Sequence, residues 1–320
     1  MLGSSFLATG GGLPLKLHQK IAESALRIRK KIKIVSASDL SEDTLLITAY
    51  GLGNPQFANR IRPATATSAL RRFESIVQKP IGGIICGEIG AEGLAFQIAA
   101  ILDLPVIDSD LVGGRAAPEI QLDAFGFYKK AITPVFVAID EKTFYFWERA
   151  LSATAIELQA RRFVSAHGGS GVLLGYPTSA GEFARISAPG TLTLALEVGK
   201  LLLAQNLKKV LELMRGHIEA QVIIEAVNLA DSGGFLTGHI RFSKDYVVTV
   251  KNELLVLSKD KKIITRVPEY IVLLDENCRP IHNTDVRRFV GKNIYIVTAP
   301  ARYYWSTPRG RRMWSKFSML

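Results

Sequence analysis

Asp108 to Glu119 read Asp-Ser-Asp-Leu-Val-Gly-Gly-Arg-Ala-Ala-Pro-Glu. Asp108, Asp110 and Glu119 in this segment, with Glu88 upstream, are candidate general bases for activating a water molecule. Arg115 could grip a substrate carboxylate through two parallel N–H bonds. The backbone N–H groups of Gly113 and Gly114, or of Gly10, Gly11 and Gly12, could hold a developing negative charge. Cys86 lies two residues before Glu88 and could attack covalently. Together these types mark a candidate site. Each also has a structural reading. Asp110 could cap a turn, Glu88 could cap the following helix, Arg115 and Glu119 could pair across four residues, the glycines at 10–12 could form a tight turn, and Cys86 could be an apolar filler. Thr9-Gly10-Gly11-Gly12 is not a P-loop, because no Gly-Lys-Ser/Thr follows it.

Short apolar strands must position these residues. Ile32–Val35, Thr44–Ala49, Ile81–Cys86, Leu104–Ile107 and Ala131–Ile139 read as strands, and Thr65–Gln78 and Gly93–Leu102 as helices. This rhythm predicts an α/β three-layer sandwich with a mainly parallel sheet. Ligands in such sheets sit beyond the carboxyl ends of the strands. There Gly51–Pro55, Gly87–Gly93 and the Asp108–Glu119 segment are expected to converge. Thr154–Ala166 reads as a helix, and Thr191–Met214 as one long helix or a pair. Beyond Gly216, strand-like runs separated by Asp231-Ser232-Gly233-Gly234 and similar turns predict a smaller all-β, barrel-like domain. The expected organisation is residues 1–215 as the α/β domain carrying the site, 216–300 as the β domain, and 301–320 as a C-terminal tail.

The chain has 320 residues and a formal charge of +11. Residues 16–33 contribute seven Lys/Arg against one Glu, and residues 301–320 contribute five against none, which accounts for the whole excess. The tail interleaves its cations with Tyr303, Tyr304, Trp305, Trp314 and Phe317. Five large rings left in water would make a patch that monomers avoid, so docking on the body or on a partner is expected over nucleic-acid binding. Two cysteines make no disulfide framework, and no signal peptide or membrane span is visible, so the expected location is the cytoplasm, with no membrane partner. No His or Cys pair has metal-ligand spacing. The four carboxylates at 88, 108, 110 and 119 allow a divalent metal without requiring one.

Several separated motifs then align in order: Thr9–Gly12 with Pro14, Glu88-Ile89-Gly90, Asp108–Glu119, Ala188–Leu202, Asp231–Ile240 and Lys251-Asn252-Glu253-Leu254-Leu255. In this order they resemble the S-methyl thiohydantoin desulfurase domain family over nearly the full chain. The chain departs from the family pattern at Ala91, Gly93 and Ala117. The resemblance implies an α/β/α sandwich joined to a β-barrel, and hydrolysis of a small cyclic amide such as an S-methyl thiohydantoin or hydantoin-type heterocycle. The alternative it implies is a non-catalytic partner of a hydantoinase/oxoprolinase protein. A homo-oligomer is also expected.

Overall fold

The computed structural model describes residues 1–53, 62–149 and 152–317. Seven strands form the first sheet: β1 (Ile34–Val35), β2 (Leu45–Gly53), β3 (Gly83–Cys86), β4 (Val106–Asp110), β5 (Val135–Ala138), β6 (Phe144–Trp147) and β7 (Ser170–Ser179). Their order is β1-β4-β3-β2-β7-β5-β6. The half from β1 to β2 is parallel, whereas β7 runs antiparallel to β2 and β5, and β6 antiparallel to β5. The sheet is therefore mixed: one half is parallel, in line with the strand–helix rhythm of the sequence, and the other half is antiparallel. The source of the difference is β7. Its Gly171, Gly175 and Pro177 read as loop residues in isolation, yet it occupies the middle of the sheet.

Side chains alternate across this sheet, and both faces are buried. Ile47, Ile84, Cys86 and Val106 enter one apolar cluster, while Leu46, Ile85 and Ile107 enter another. The helices are α1 (Leu2–Leu7), α2 (Leu15–Ile28), α3 (Pro63–Val77), α4 (Glu92–Leu102), α5 (Ala124–Tyr128), α6 (Ala153–Ala166), α7 (Ala180–Ile186), α8 (Thr191–Leu203), α9 (Leu207–Met214) and α10 (Pro308–Trp314). Ile21, Phe73, Leu94 and Val198 from α2, α3, α4 and α8 fill the first cluster, and Ala160, Phe183 and Trp314 from α6, α7 and α10 fill the second. Thr191–Met214 is a pair of helices. Among the described residues no single helix is long and apolar enough to cross a membrane.

The second sheet is antiparallel throughout. It comprises β8 (His217–Ser232), β9 (Phe235–Phe242), β10 (Tyr246–Lys251), β11 (Glu253–Lys259), β12 (Lys262–Arg266), β13 (Tyr270–Leu274) and β14 (Asn293–Ala299), in the order β12-β11-β10-β9-β8-β14-β13. It curls until β13 meets β11 and β12, making a half-barrel. Ile271, Leu273, Ile294 and Ile296 point into its own core, whereas Tyr270, Val272, Leu274 and Val297 join the first cluster of the α/β part. The two sheets thus share a core along one face of β13 and β14.

Candidate active site

Three backbone segments meet where the two sheets adjoin. The first is the Thr9–Leu13 turn. The Asn283 and Leu254 N–H groups, from the second sheet's side, donate to Gly10 O (3.0 Å) and Thr9 O (2.9 Å), and Leu13 N–H donates to Gly90 O (2.8 Å). Gly12 has φ +73°, and a Cβ there would lie 2.8 Å from Gly90 O, so the close approach requires glycine. The second segment is the bend after β3. Glu92 holds it by accepting from Gly90 N–H (2.7 Å) and from the Ser4 hydroxyl. His18 Nε2 accepts from Gly93 N–H (2.9 Å), as a neutral imidazole must, and burial pushes its pKa down. The third is the turn after β4. Asp110 accepts from Val112 N–H (3.1 Å) and Gly114 N–H (2.7 Å), while Tyr304 Oη donates to Leu111 O (2.8 Å) and Trp305 Nε1 to Val112 O.

Between these segments lies a cavity of about 70 Å³. Gly51–Gly53 at the end of β2, Gly87 and Glu88 after β3, Glu119, Asp123, Arg161 on α6, Ser170 at the start of β7, Asn252 between β10 and β11, and Glu253 at the start of β11 all line it, together with Gly12. The acids are unusual. Burial pushes the Glu88 carboxyl up to about 8, against a hydrogen bond from Ala117 N–H (3.2 Å) that favours its ionised form. Burial pushes Glu253 well above the carboxylate range, and the charge of Glu88 adds to that push; Arg115 and Arg161 oppose it. Glu253 is 2 % exposed, and its Oε2 has no hydrogen-bond partner among the described residues. Its Oε1 packs against Gly11 so closely that a Cβ there would come within 2.2 Å. Arg161 is fixed by Glu157 (2.7 Å), Pro118 O (2.8 Å) and Gly234 O (3.1 Å), with the Phe235 ring 3.7 Å from its guanidinium carbon.

Two family domains match the sequence. The S-Me-THD-like N-terminal domain matches residues 1–147 and the S-Me-THD-like C-terminal domain residues 152–317. The chain belongs to the S-Me-THD-like family. The junction of the two S-Me-THD-like domains falls inside the first sheet, because β7 belongs to the C-terminal match yet pairs with β2 and β5. An X-ray crystal structure of a protein from Chromobacterium violaceum superposes with a TM-score of 0.79 at 18% identity, covering 98% of this chain and 93% of that one. At that identity the likeness shows the S-Me-THD-like fold only. No curated protein matches the sequence.

Of the residues expected from sequence, this S-Me-THD-like chain brings Glu88, Glu119 and Gly12 to the cavity. Glu119 is already held by Lys251 and Lys316, each 2.6 Å away. Burial opposes its ionisation, but these hydrogen bonds outweigh it and hold the carboxyl below its ordinary value. Asp110 stands behind the cavity wall, bound to its own turn, and burial pushes it up to about 7. Asp108 caps α8, accepting from Leu192 N–H and Thr193 N–H (both 3.0 Å) and from the Thr193 hydroxyl. Arg115 is buried, donates to Pro268 O and Ala116 O, and packs 4.3 Å from the Trp314 ring. Gly113 and Gly114 have φ +78° and +83° and serve the Asp110 turn. Gly10 and Gly11 lie beside the cavity without lining it. Cys86 is fully buried in the core cluster, and burial pushes its thiol up, away from the reactive thiolate. Asn54 and Pro55 lie outside the described residues. Among the described residues, no group of three or more His, Cys, Asp or Glu is placed to hold a metal ion.

Sequence reasoning passes over Glu253, Arg161 and Asp123. A visible signal existed for Glu253. It is a lone acid opening the apolar run Leu254-Leu255-Val256-Leu257, and a carboxylate on a buried strand needs a reason.

Proposed function

We propose that this chain is a hydrolase of a small cyclic amide, of the S-methyl thiohydantoin or hydantoin class named by its family. The observation that carries the proposal is the pair Glu88 and Glu253 lining one small cavity. Two carboxyls whose environments separate their pKa values divide naturally into acid and base. Glu88, at about 8, is the first to ionise. Glu253 is more completely buried and is pushed up further by Glu88's charge, so it keeps its proton. In an S-methyl thiohydantoin, Glu88 takes a proton from water as the water oxygen bonds to the carbon bearing sulfur. Glu253 gives its proton to the ring nitrogen, which accepts the electron pair of the C=N bond. Collapse of the tetrahedral centre then breaks the C–S bond: the hydroxyl on that carbon returns a proton to Glu253 as the carbonyl forms, and methanethiol leaves with the proton that Glu88 received. The ring retains a carbonyl, so water plus substrate balance hydantoin plus methanethiol. The fixed cation of Arg161 favours the ionised form of both acids and steadies the pair when one proton is gone.

The test is methanethiol release from S-methyl thiohydantoins, and ring opening of hydantoins, by the purified chain and by Glu88→Gln and Glu253→Gln. Turnover lost in both variants supports the reading. Turnover unaffected by either substitution rejects this pair, and no turnover by the wild-type chain on any ring of the class rejects the hydrolase.

A further inference from the structure

Residues 26–35 read Leu-Arg-Ile-Arg-Lys-Lys-Ile-Lys-Ile-Val, with five Lys/Arg and no acid. They run from the last turn of α2 into β1. Arg29 ends the helix in an extended conformation, φ −136° and ψ 127°. Leu26, Ile28 and Ile34 are 53%, 49% and 48% exposed. Arg29 pairs with Asp103 at 3.0 Å on the surface. Arg27, Lys30, Lys31 and Lys33 make no ion pair among the described residues. β1 is an outer strand, paired with β4 on one side.

An open strand edge flanked by cations and bare aliphatics can meet three kinds of surface. Single-stranded nucleic acid stacks its bases on aromatic rings, and residues 26–35 contain none. A lipid surface receives one continuous apolar face. Here Leu26 and Ile28 stand two residues apart on a helix, on opposite sides, and Ile34 is on a strand. An extended acidic chain fits better. Its backbone can pair with the free edge of β1, its carboxylates can answer Lys31 and Lys33, and its aliphatic side chains can cover Ile34. The alternation of Lys31, Ile32, Lys33 and Ile34 has the period of two that an added strand requires. Lysines on an edge also discourage self-pairing of identical chains, so the occupant is a different, acidic one.

We propose that residues 26–35 and the open edge of β1 dock an extended segment of a partner protein in which Asp or Glu alternates with aliphatic residues, added as an outer strand. The inference is independent of the hydrolase reading. The test titrates the full chain with a short labelled peptide of alternating glutamate and valine, at low and high salt. Lys31→Glu with Lys33→Glu should weaken binding by about tenfold or more while the melting temperature holds. The same peptide N-methylated at alternate amides should lose binding, because it cannot pair with the edge. Binding that survives N-methylation, or that ignores both charge reversals, overturns the proposal. So does retention on anionic vesicles or on an oligonucleotide when the peptide does not bind.

Discussion

Glu88, in the bend that follows β3, and Glu253, at the start of β11, line the same cavity from the sides of different sheets, and the charge of Glu88 pushes the Glu253 carboxyl further up. Two carboxyls so placed cannot both ionise cheaply. The pair therefore holds at least one proton at neutral pH, poised for transfer.

Loss of either member should cost more rate than stability. Glu88→Gln and Glu253→Gln keep the shape and remove an acid whose protonated form a glutamine amide resembles. Turnover of a substrate ring is expected to fall by about two to four orders of magnitude. In the wild-type chain kcat should rise with pH through an apparent pKa near 8, as Glu88 ionises. A rate that stays flat from neutral to alkaline pH would remove Glu88 as the base.

The same acids set the pH dependence of folding. Glu88 is pushed to about 8, Asp110 and Asp123 to about 7, and Glu253 well above its ordinary value, in each case mainly by burial. Unfolded, such groups release their protons near pH 4. From about pH 4 to 8 the folded chain therefore binds more of these protons, and stability falls as pH rises. Burial depresses His282 to about 4 and lowers His18, which works in the opposite sense below pH 6.5. Above 6.5 the carboxyls act alone. Urea melts between pH 6.5 and 8 should show stability falling by on the order of 1 kcal/mol or more. Glu88→Gln should make that fall shallower. A midpoint that climbs across this range would contradict the assigned burial.

Gly11 and Gly12 separate site geometry from fold. Gly12 combines φ +73° with backbone of Gly90 within 2.9 Å of any Cβ. Gly12→Ala should destabilise by about 1–2 kcal/mol from the left-handed backbone alone, and more from the clash. At Gly11 the atoms nearest the added methyl all belong to the Glu253 side chain, with Oε1 at 2.2 Å. Gly11→Ala should displace that carboxyl, lowering turnover strongly with a smaller loss of melting temperature. Equal stability losses in the two variants, with turnover intact at position 11, would show that Glu253 has room to move.

The parallel half of the first sheet is legible because each of its strands is a short apolar run followed by turn residues, as in Ile84-Ile85-Cys86-Gly87. The antiparallel half is less so. β7 carries two glycines and Pro177, with Tyr176 at φ +59°, and only pairing with β2 and β5 makes it a strand. The acidic segment after β4 draws attention by its residue types, and they have a local purpose. Asp110 and Asp108 spend their oxygens on the N–H groups of a turn and a helix start. Glu253 becomes a site residue only because the second sheet returns it to Gly11, more than two hundred positions away. Local spacing carries no trace of that contact.

The C-terminal segment should behave as part of the core. Trp305, Trp314 and Phe317 are at most 2% exposed, and Trp314 lies between Trp305 and Phe317 with the Arg115 guanidinium 4.3 Å from its ring. Truncating such a ring removes its transfer energy and leaves a cavity, so Trp314→Ala should cost about 3–5 kcal/mol. It also strips Arg115, which helps hold Glu253 toward its ionised form, of one wall of its pocket. The apparent pKa for turnover should then shift as well as the stability. Lys316→Ala removes a half-exposed ammonium from Glu119, which retains Lys251, and should cost no more than about 1 kcal/mol. Paired urea melts of the two variants check the contrast. If Lys316→Ala proved as damaging as Trp314→Ala, the ion pair rather than the buried rings would be what fastens this segment to the body.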